Sequence, residues 1–245
     1  MSIERLTEII KNSNNIVFFG GAGVSTESNI PDFRSANGLY NENANKKFSP
    51  EQILSHSYFM RYTENFYKFY RDKMIYKDAK PNKAHLALSE LEKLGKLKAV
   101  ITQNIDGLHQ MAGSKEVLEL HGSIHRNTCM NCGKHFDLNY ILSSDSIIPK
   151  CDACNSTVKP DVVLYEEGLD DDVIRNTVDY ISKADILIIG GTSLVVYPAA
   201  GLIRYFRGKH LILINKSSTP YDNEADLVIN DSIGNVLNAC YEALQ

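Results

Sequence analysis

Polar residues follow two apolar runs in the middle of the chain. The run Lys98–Thr102 leads directly into the cluster Gln103–Asp106, and the run Val117–Leu120 ends at His121. Two carboxamides, a carboxylate and an imidazole can bind polar ligands and move protons. Because open α/β sheets build their sites at strand ends, this stretch is the first candidate for an active site.

Four cysteines come next and form two pairs. Cys129 and Cys132 make one CxxC motif, Cys151 and Cys154 make the other, and eighteen residues separate the pairs. This spacing is a strong zinc signature. Four thiolates complete a tetrahedral site and leave no open position, so we expect one structural zinc ion. The remaining Cys240 lies in an apolar helical pattern, which favours a buried side chain without a chemical role.

A glycine-rich turn follows the first apolar run, Ile16–Phe19. Residues 20–26 read GGAGVST, and glycines at this position let backbone N–H groups approach a pyrophosphate. Thr26 stands where a GxGxxG motif would have its third glycine. Taken alone, the segment fits a phosphate loop and a simple strand-to-helix turn equally well.

Short apolar runs alternate with helical patterns along the rest of the chain. The runs cover residues 16–19, 98–102, 117–120, 161–165, 185–189, 211–214 and 226–229. This alternation predicts an α/β fold with a mostly parallel sheet and helices on both faces. The segment between the cysteine pairs reads as a small ribbon inserted into that fold. Residues 57–76 place aromatic side chains at helical spacing, which is typical of packing and could also wall a groove.

Composition narrows the class of protein. The chain has 245 residues, 43% of them hydrophobic and 23% charged, with a formal net charge of −4. That balance is ordinary for a globular protein and does not favour general binding to nucleic-acid phosphates. No apolar run is long enough to span a bilayer, and the N-terminus lacks the apolar core of a signal peptide. We therefore expect a cytoplasmic protein without a membrane partner.

Six motifs in order resemble those of the Sir2 family, the sirtuins. They are GAGVSTESNIPDFR at 21–34, TQNID at 102–106, HG at 121–122, the paired CxxC motifs, GTSLVVYPA at 191–199 and Asn215 at a strand end. The resemblance implies a Rossmann-like domain over residues 1–122 and 159–245, with a helical insertion over about 35–80, and a zinc-ribbon domain over 123–158. It implies an NAD⁺-dependent protein lysine deacetylase, expected to be a monomer, that yields nicotinamide, free lysine and 2′-O-acetyl-ADP-ribose.

The resemblance assigns a set of residues to NAD⁺. The glycine-rich loop and the segment after residue 191 would contact the phosphates, and the cluster at 103–106 would hold nicotinamide and its ribose. Phe33 would shield the ribose face that nicotinamide leaves, and the last three positions would contact the adenosine. The implied positions are Ala22, Gly23, Thr26, Phe33, Arg34, Gln103, Asn104, Ile105, Asp106, Thr192, Ser193, Asn215, Ser232 and Ile233.

The same resemblance implies the catalytic and substrate-binding residues. His121 would be the general base, since a neutral imidazole accepts a ribose hydroxyl proton, and Asn104 would orient the ribose and an ordered water. The acyl-lysine peptide would bind as an added strand. Its implied contacts are Val163, through a backbone carbonyl, with Glu167, Gly168, Leu169, Val195, Val196 and Tyr197.

Two departures from the family pattern bear on specificity. Glu166 stands where glycine is common beside the peptide cleft, which would favour basic residues flanking the substrate lysine. Family members that remove acidic acyl groups carry a tyrosine and, three residues later, an arginine on a helix lining the acyl tunnel. Here Tyr67 matches the tyrosine but Tyr70 replaces the arginine, and Arg71 is rotated by about 100° around the helix. The sequence thus predicts short, neutral acyl groups.

Other functions compete with deacetylation. An NAD dehydrogenase would need a complete GxGxxG and an acidic residue about 20 positions later. The motif here is incomplete, and Asp32 lies too close to it to be that acidic residue. A nucleic-acid-binding zinc ribbon would need a basic patch, but Asp137, Asp145 and Asp152 lie in this ribbon. Protein ADP-ribosylation shares the nicotinamide chemistry and is the nearest alternative, followed by deacylation of longer or acidic acyl groups.

Overall fold

The described residues form two β-sheets and the helices that pack on them. This computed structural model describes residues 2–33, 35, 38–39 and 47–245. Its strands are β1 (Ile16–Gly20), β2 (Leu97–Thr102), β3 (Val117–Glu119), β4 (Gly122–Cys129), β5 (His135–Phe136), β6 (Val158–Val162), β7 (Ile186–Gly190), β8 (His210–Ile214) and β9 (Leu227–Ile229). Six parallel strands make the larger sheet, in the order β3-β2-β1-β7-β8-β9.

The carboxyl ends of four adjacent strands lie side by side. Gly20, which ends β1, pairs with Thr102 and with Gly190, and Gly190 pairs with Ile214. Each of these strands leads into one of the polar segments that the sequence singled out. The predicted parallel sheet is confirmed. The candidate residues follow the carboxyl ends of its strands and so lie along one edge of the sheet.

Helices cover both faces of this sheet, as predicted. The α-helices in the described residues are α1 (Ser2–Lys11), α2 (Pro50–Ile53), α3 (His56–Arg61), α4 (Thr63–Lys73), α5 (Lys83–Lys93), α6 (Leu108–Met111), α7 (Leu138–Ser143), α8 (Asp171–Lys183) and α9 (Ile233–Glu242). On β1, Phe18 packs with α1, α5 and α9, whereas Val17 and Phe19 pack with α8 and the 3₁₀ segment Ala199–Tyr205. Alternate residues of one strand are therefore buried in two separate cores, one on each face of the sheet.

The smaller sheet is antiparallel and carries the cysteines. Its order is β5-β4-β6, and Cys129 ends β4 while Cys151 precedes β6. Both cysteines are buried with Ile141 of α7 and Val158 of β6. This unit corresponds to the predicted ribbon between the two parts of the larger fold.

The aromatic segment packs against the smaller sheet, beside Ile124 of β4 and Val162 of β6. Phe66, Tyr67 and Tyr70 of α4 are fully buried beside Phe59 of α3 and make edge-on and stacked ring contacts. Rings in these arrangements stabilise a core beyond their buried area. Packing is thus the main role of this stripe, although Phe33 and Ile105 border it.

Two element boundaries differ from the sequence expectation. Residues 161–165 read as one strand, but β6 spans Val158–Val162, and the chain beyond it turns to pair elsewhere: Val163 N donates to His121 O and Tyr165 N to Leu54 O. The helix expected at 198–206 is a 3₁₀ helix over Ala199–Tyr205. None of the described helices is long and apolar enough to cross a membrane.

Candidate active site

The glycine-rich loop lies directly on the end of β7. Gly21 N donates to Gly190 O at 3.2 Å and Gly23 N donates to Gly191 O at 2.8 Å. A Cβ on Gly23 would come 2.7 Å from Gly191 Cα, so only glycine allows this approach. The Gly23 N–H is therefore used within the protein, and what Gly23 offers a ligand is a backbone without a side chain. Thr26 Oγ1 donates to Gly23 O at 2.9 Å and holds the loop closed.

Three buried polar side chains form a hydrogen-bonded chain across this edge. Asn104 Nδ2 donates to Ser25 Oγ at 3.0 Å, and Ser25 Oγ donates to Asp106 Oδ2 at 2.7 Å. Ser25 is only 1% exposed. It was not among the predicted site residues, although a polar side chain inside a glycine-rich loop was a usable signal. The contact fixes the positions of Asn104 and Asp106 relative to the loop.

Asp106 is held at both carboxylate oxygens. Its Oδ1 accepts a hydrogen bond from Leu108 N at 2.9 Å, while Oδ2 accepts from Ser25. Burial raises the pKa of Asp106, and these two hydrogen bonds act in the opposite direction. His125 Nε2–H donates to the Asp106 carbonyl at 3.0 Å, which anchors the backbone as well. The carboxylate is thereby oriented before any ligand arrives.

The orientation of His121 is fixed by a backbone carbonyl. Its Nδ1 lies 3.0 Å from Gln103 O, and a carbonyl can only accept, so Nδ1 carries the proton and Nε2 is the free acceptor. Burial lowers the pKa of His121, although the Gln103 contact partly opposes this shift. The ring is therefore neutral near physiological pH, with Nε2 able to take up a proton.

The backbone conformation at residue 122 requires the glycine that follows His121. Its φ is +74°, a left-handed conformation that favours glycine, and a Cβ there would overlap the Asp161 carbonyl. This turn lets β4 start against β6 immediately after His121. His121 O accepts from Val163 N at 3.0 Å, so the same turn joins the candidate base to the segment expected to contact substrate.

Side-chain hydrogen bonds join the segments that follow β2, β7 and β8. Thr192 N donates to Asn215 Oδ1 at 3.0 Å, and Gln103 Nε2 donates to Thr192 Oγ1 at 3.1 Å. Asn215 is 9% exposed, and its Nδ2 is buried without a hydrogen-bond partner among the described residues. A buried amide donor that lacks a partner indicates a ligand oxygen at this point. Ser193, next to Thr192, is exposed.

The start of α9 closes the site on the far side. Ile233 packs with its side chain against Gly190 and Gly191, where Cβ atoms would come 3.3 Å and 2.8 Å from Ile233 Cδ1. Ser232 caps the helix, with its Oγ accepting from Asn235 N at 3.5 Å. Both residues therefore lie beside the glycine turn that follows β7.

The expected peptide-binding segments lie on either side of the site and differ in rigidity. Glu167 Oε2 accepts from Leu164 N at 2.9 Å and from Lys159 Nζ at 3.1 Å, while its Oε1 contacts His56. The Glu167 carboxylate therefore braces its own segment instead of facing a ligand. On the opposite segment Val195 and Tyr197 are exposed. Gly168 has open space around its Cα, and Leu169 packs partly on the core.

Glu166 adopts a backbone conformation that explains the glycine usual at this position. Its φ is +76°, in the left-handed region. The carboxylate accepts from Ser57 N at 2.8 Å and from Ser57 Oγ at 2.6 Å, and these bonds lower its pKa. Glu166 is thus ionised, and its carboxylate is held at the start of α3.

The four paired cysteines converge as a metal site requires. Their sulfur atoms lie within 4.8 Å of one another, with Cys129 Sγ 3.4 Å from Cys154 Sγ and Cys132 Sγ 3.6 Å from Cys151 Sγ. Tetrahedral zinc with Zn–S bonds of about 2.3 Å sets its sulfurs about 3.8 Å apart. All five cysteines are free thiols. The donor set fits one zinc ion with no position left for a substrate.

Many of the predicted site residues thus come together in two clusters. Gln103, Asn104, Asp106 and His121 come together with the glycine-rich loop, Thr192 and Asn215 at one edge of the sheet. The four cysteines form a separate cluster. Arg34 lies outside the described residues. Cys240 is fully buried in the core and outside both clusters, as expected.

Comparison with known proteins identifies the family. The profile of the Sir2 family matches residues 21–198. The chain belongs to the Sir2 family. An NAD-dependent protein deacetylase of Clostridium acetobutylicum is 69% identical over 235 residues, 96% of either chain, and one of Cutibacterium acnes is 50% identical over 100% of this chain and 99% of its own.

Solved structures of the Sir2 family share the fold over nearly the whole chain. One holds a deacetylated p53 peptide and 3′-O-acetyl ADP-ribose; it has a TM-score of 0.90 and 37% identity, with 99% of this chain and 98% of that chain covered. Another is bound to a propionylated peptide, with a TM-score of 0.87, 36% identity and the same coverage. These likenesses confirm the predicted Rossmann-like fold and Sir2 membership.

Proposed function

We infer that the chain is an NAD⁺-dependent protein lysine deacetylase that releases nicotinamide and 2′-O-acetyl-ADP-ribose. The observation that carries this inference is the neutral His121, whose Nδ1–H is fixed on Gln103 O and whose Nε2 is left as an acceptor. It stands next to the Ser25–Asn104–Asp106 chain and the glycine-rich loop. Membership of the Sir2 family and the named deacetylase relatives agree with it.

The cofactor site has features that fit NAD⁺. The Gly23–Gly191 contact brings the glycine-rich loop onto the end of β7, and the buried Asn215 Nδ2 lacks a partner among the described residues. When bound, NAD⁺ would supply the nicotinamide leaving group and the ADP-ribosyl group that receives the acetyl. Asn215 would donate to a hydroxyl of the adenosine ribose, with Ser232 and Ile233 beside the adenine. Ala22, Thr26, Thr192 and Ser193 would surround the phosphates.

The nicotinamide end would be held by the cluster at 103–106. The Ile105 carbonyl already accepts from Ile124 N at 3.0 Å, so the Ile105 N–H and the Asp106 carboxylate are the groups left for a carboxamide. Asn104 and Gln103 would orient the ribose and an ordered water. Phe33 would exclude water from the ribose face exposed after nicotinamide leaves.

His121 would act by accepting a ribose hydroxyl proton at Nε2. The transfer generates an imidazolium, and the Gln103 carbonyl that accepts from Nδ1–H stabilises that charge. The acyl-lysine would reach the site between the segments at 163–169 and 195–197, pairing as an added strand. Val163 supports this role, because its N–H is bound to His121 O and its carbonyl accepts no hydrogen bond from the described residues.

The zinc ion would hold the ribbon together and take no part in the chemistry. The four sulfurs complete its coordination, and metal binding energy of this kind is folding energy. We propose that residues 123–158, together with the rest of β6 to Val162, form this domain and that residues 1–122 and the chain beyond β6 form the NAD⁺-binding domain. A monomeric, cytoplasmic enzyme is the accompanying proposal, to be checked by sedimentation and by cell fractionation.

The acyl group is proposed to be acetyl or another short neutral chain. Tyr67 donates to Val158 O and Tyr70 is buried in the same cluster, while Arg71 Nη2 donates to Ser146 O at 3.0 Å. Arg71 is thus directed toward the ribbon, and Tyr70 offers no positive charge to a carboxylate. We predict kcat/KM for a succinyl-lysine peptide below that for its acetyl-lysine twin, and a ratio above one would contradict this. Tyr70→Arg should raise the ratio.

Nicotinamide release tests the proposed function. It should require an acetylated peptide, which a dehydrogenase or a nucleic-acid-binding ribbon would not show. His121→Ala should reduce formation of the deacetylated peptide by about 10²-fold or more, the usual contribution of a general base, while ADP-ribose still binds. Peptide-independent release, or near-normal turnover in His121→Ala, would refute the assignment.

A further inference from the structure

The amino end of α9 is occupied by two carboxylates of the chain itself. Glu27 Oε1 accepts from Gly234 N at 3.1 Å, and Asp231 Oδ1 accepts from Ser232 N at 2.6 Å. Helix amino ends attract anions through such N–H groups and the helix dipole. Here Gly234 N is bound to the Glu27 carboxylate, Asn235 N is bound to Ser232 Oγ, and the Asp231 carboxylate is bound at the capping residue, so this end of α9 presents negative charge to its surroundings.

Gly234 permits the close contact with Glu27. A Cβ at this position would overlap the Glu27 carboxylate, so any other residue would displace it. Glu27 belongs to the 3₁₀ turn Thr26–Ser28 that follows the glycine-rich loop. The contact therefore joins that loop to a helix more than two hundred residues later in the chain.

This acidic pair lies beside the part of the site that fits an adenosine ribose. Ile233, which follows Ser232, packs against Gly191. Thr192, the next residue, donates to Asn215 Oδ1, and Asn215 Nδ2 is the buried donor without a partner among the described residues. A series of contacts through Ile233 and Gly191 therefore connects the helix end that carries the two carboxylates with the point where Asn215 Nδ2 indicates a ligand oxygen.

We propose that Glu27, assisted by Asp231, excludes dinucleotides with a 2′-phosphate on the adenosine ribose, so that the site takes NAD⁺ and rejects NADP⁺. This proposal rests on the proposed NAD⁺ site. A phosphate monoester would bring a charge of about −1.5 to −2 toward two carboxylates and would find the N–H groups of Gly234 and Asn235 already bound. Many dinucleotide-binding folds place the discriminating carboxylate about 20 residues after the glycines; here it directly follows the glycine-rich segment.

Because Lys216 is positively charged, rejection of a 2′-phosphate requires the acidic pair. This exposed lysine follows Asn215 directly and would by itself attract a 2′-phosphate. When the charge of Glu27 is removed, the attraction of Lys216, the residue after Asn215, should no longer be opposed by it. A phosphorylated ribose should then bind.

The test is a comparison of Kd for ADP-ribose and 2′-phospho-ADP-ribose by calorimetry, without peptide or turnover. The wild type should bind ADP-ribose far more tightly. Glu27→Gln keeps an oxygen for Gly234 N but removes the charge, and it should reduce that preference by about tenfold or more, mainly through tighter binding of the phosphorylated ligand. The double variant Glu27→Gln, Asp231→Asn should reduce it further.

Glu242→Gln is the matched control. It removes one exposed carboxylate from the opposite end of the same helix and should leave the preference unchanged. Melting temperatures establish that each variant is folded. Equal affinities in the wild type, or an unchanged preference in both Glu27 variants, would overturn the proposal. Failure of the wild type to bind ADP-ribose would overturn the proposed function together with it.

Discussion

At the scale of single residues, the site depends on hydrogen bonds that fix a proton or a carboxylate in advance. Gln103 O sets the tautomer of His121, and Ser25 sets the position of Asp106. Such preorganisation matters because a base must be both correctly placed and correctly protonated.

The pH profile of the reaction reports the state of His121. Only the neutral ring can act as a base, and burial lowers its pKa from the ordinary value of 6.5. We predict that kcat/KM is constant above this value and falls only as the pH drops below it. An acid limb centred well above 6.5, measured with saturating NAD⁺ and peptide well below its KM, would contradict the neutral tautomer.

Ser25→Ala tests the hydrogen-bonded chain. The change leaves Asp106 Oδ2 and Asn104 Nδ2 without their shared partner, and a buried carboxylate that loses a hydrogen bond is less stable as an anion. We expect kcat/KM to fall by about tenfold to a hundredfold, equivalent to roughly 1.4–3 kcal/mol. Ser13→Ala, a part-buried serine that hydrogen-bonds Asn15 N away from this chain, should have no effect on kcat/KM.

At the scale of elements, buried polar groups between α5 and α6 carry a pH dependence of stability. His85 and His109 are fully buried, with ring centroids 4.7 Å apart. His85 Nδ1 accepts from Asn82 N at 3.2 Å, so its ring must be neutral there. Burial lowers the pKa of His85 to about 4 and that of His109 well below 6.5.

These shifts predict acid destabilisation with a definite sign. The unfolded chain binds protons at both rings below pH 6.5 while the folded chain does not, so stability is full above 6.5 and declines on acidification. Each ring should make the free energy of unfolding about 1.4 kcal/mol lower at pH 5.5 than at pH 7.5. Urea unfolding of His109→Leu should show a pH-dependent loss smaller by that amount, whereas exposed His135→Gln should match the wild type. Equal losses in all three proteins would contradict the prediction.

The zinc ribbon should behave as a folding unit that depends on its metal. Cys151→Ala removes one of four sulfurs and should reduce zinc below one ion per chain, lower Tm and abolish activity through loss of structure. Cys240→Ala, a buried cysteine in the main core, should retain the full zinc content. A metal-free protein that kept its native melting curve and activity would show that zinc is dispensable.

At the scale of the whole molecule, the sequence predicts the sheet and its functional edge better than the contacts across it. Apolar runs such as 186–189 bury every side chain between two helical layers, so their period and length indicate parallel strands directly. Glycines and polar residues after those runs then place the edge of the site. The converging cysteines follow from motif spacing alone.

What the sequence does not predict are partners brought together only by tertiary packing. Glu27 meets Gly234, and Ser25 meets Asn104, because separate strands end at one edge, and no local pattern encodes either pairing. Likewise the sequence does not show that the Glu167 carboxylate braces its own segment through Lys159 and Leu164. Side-chain direction in a loop depends on neighbours that are distant in sequence.

The central claim is that the acetyl group of a lysine is transferred to the ADP-ribosyl part of NAD⁺ with His121 as the base. Mass spectrometry of the products from NAD⁺ and an acetyl-lysine peptide tests it most directly, with the unacetylated peptide and His121→Ala as controls. We predict equal amounts of nicotinamide, deacetylated peptide and O-acetyl-ADP-ribose from the wild type, and none of the last from either control. ADP-ribose attached to the peptide or to the enzyme, or acetate released without O-acetyl-ADP-ribose, would contradict the account.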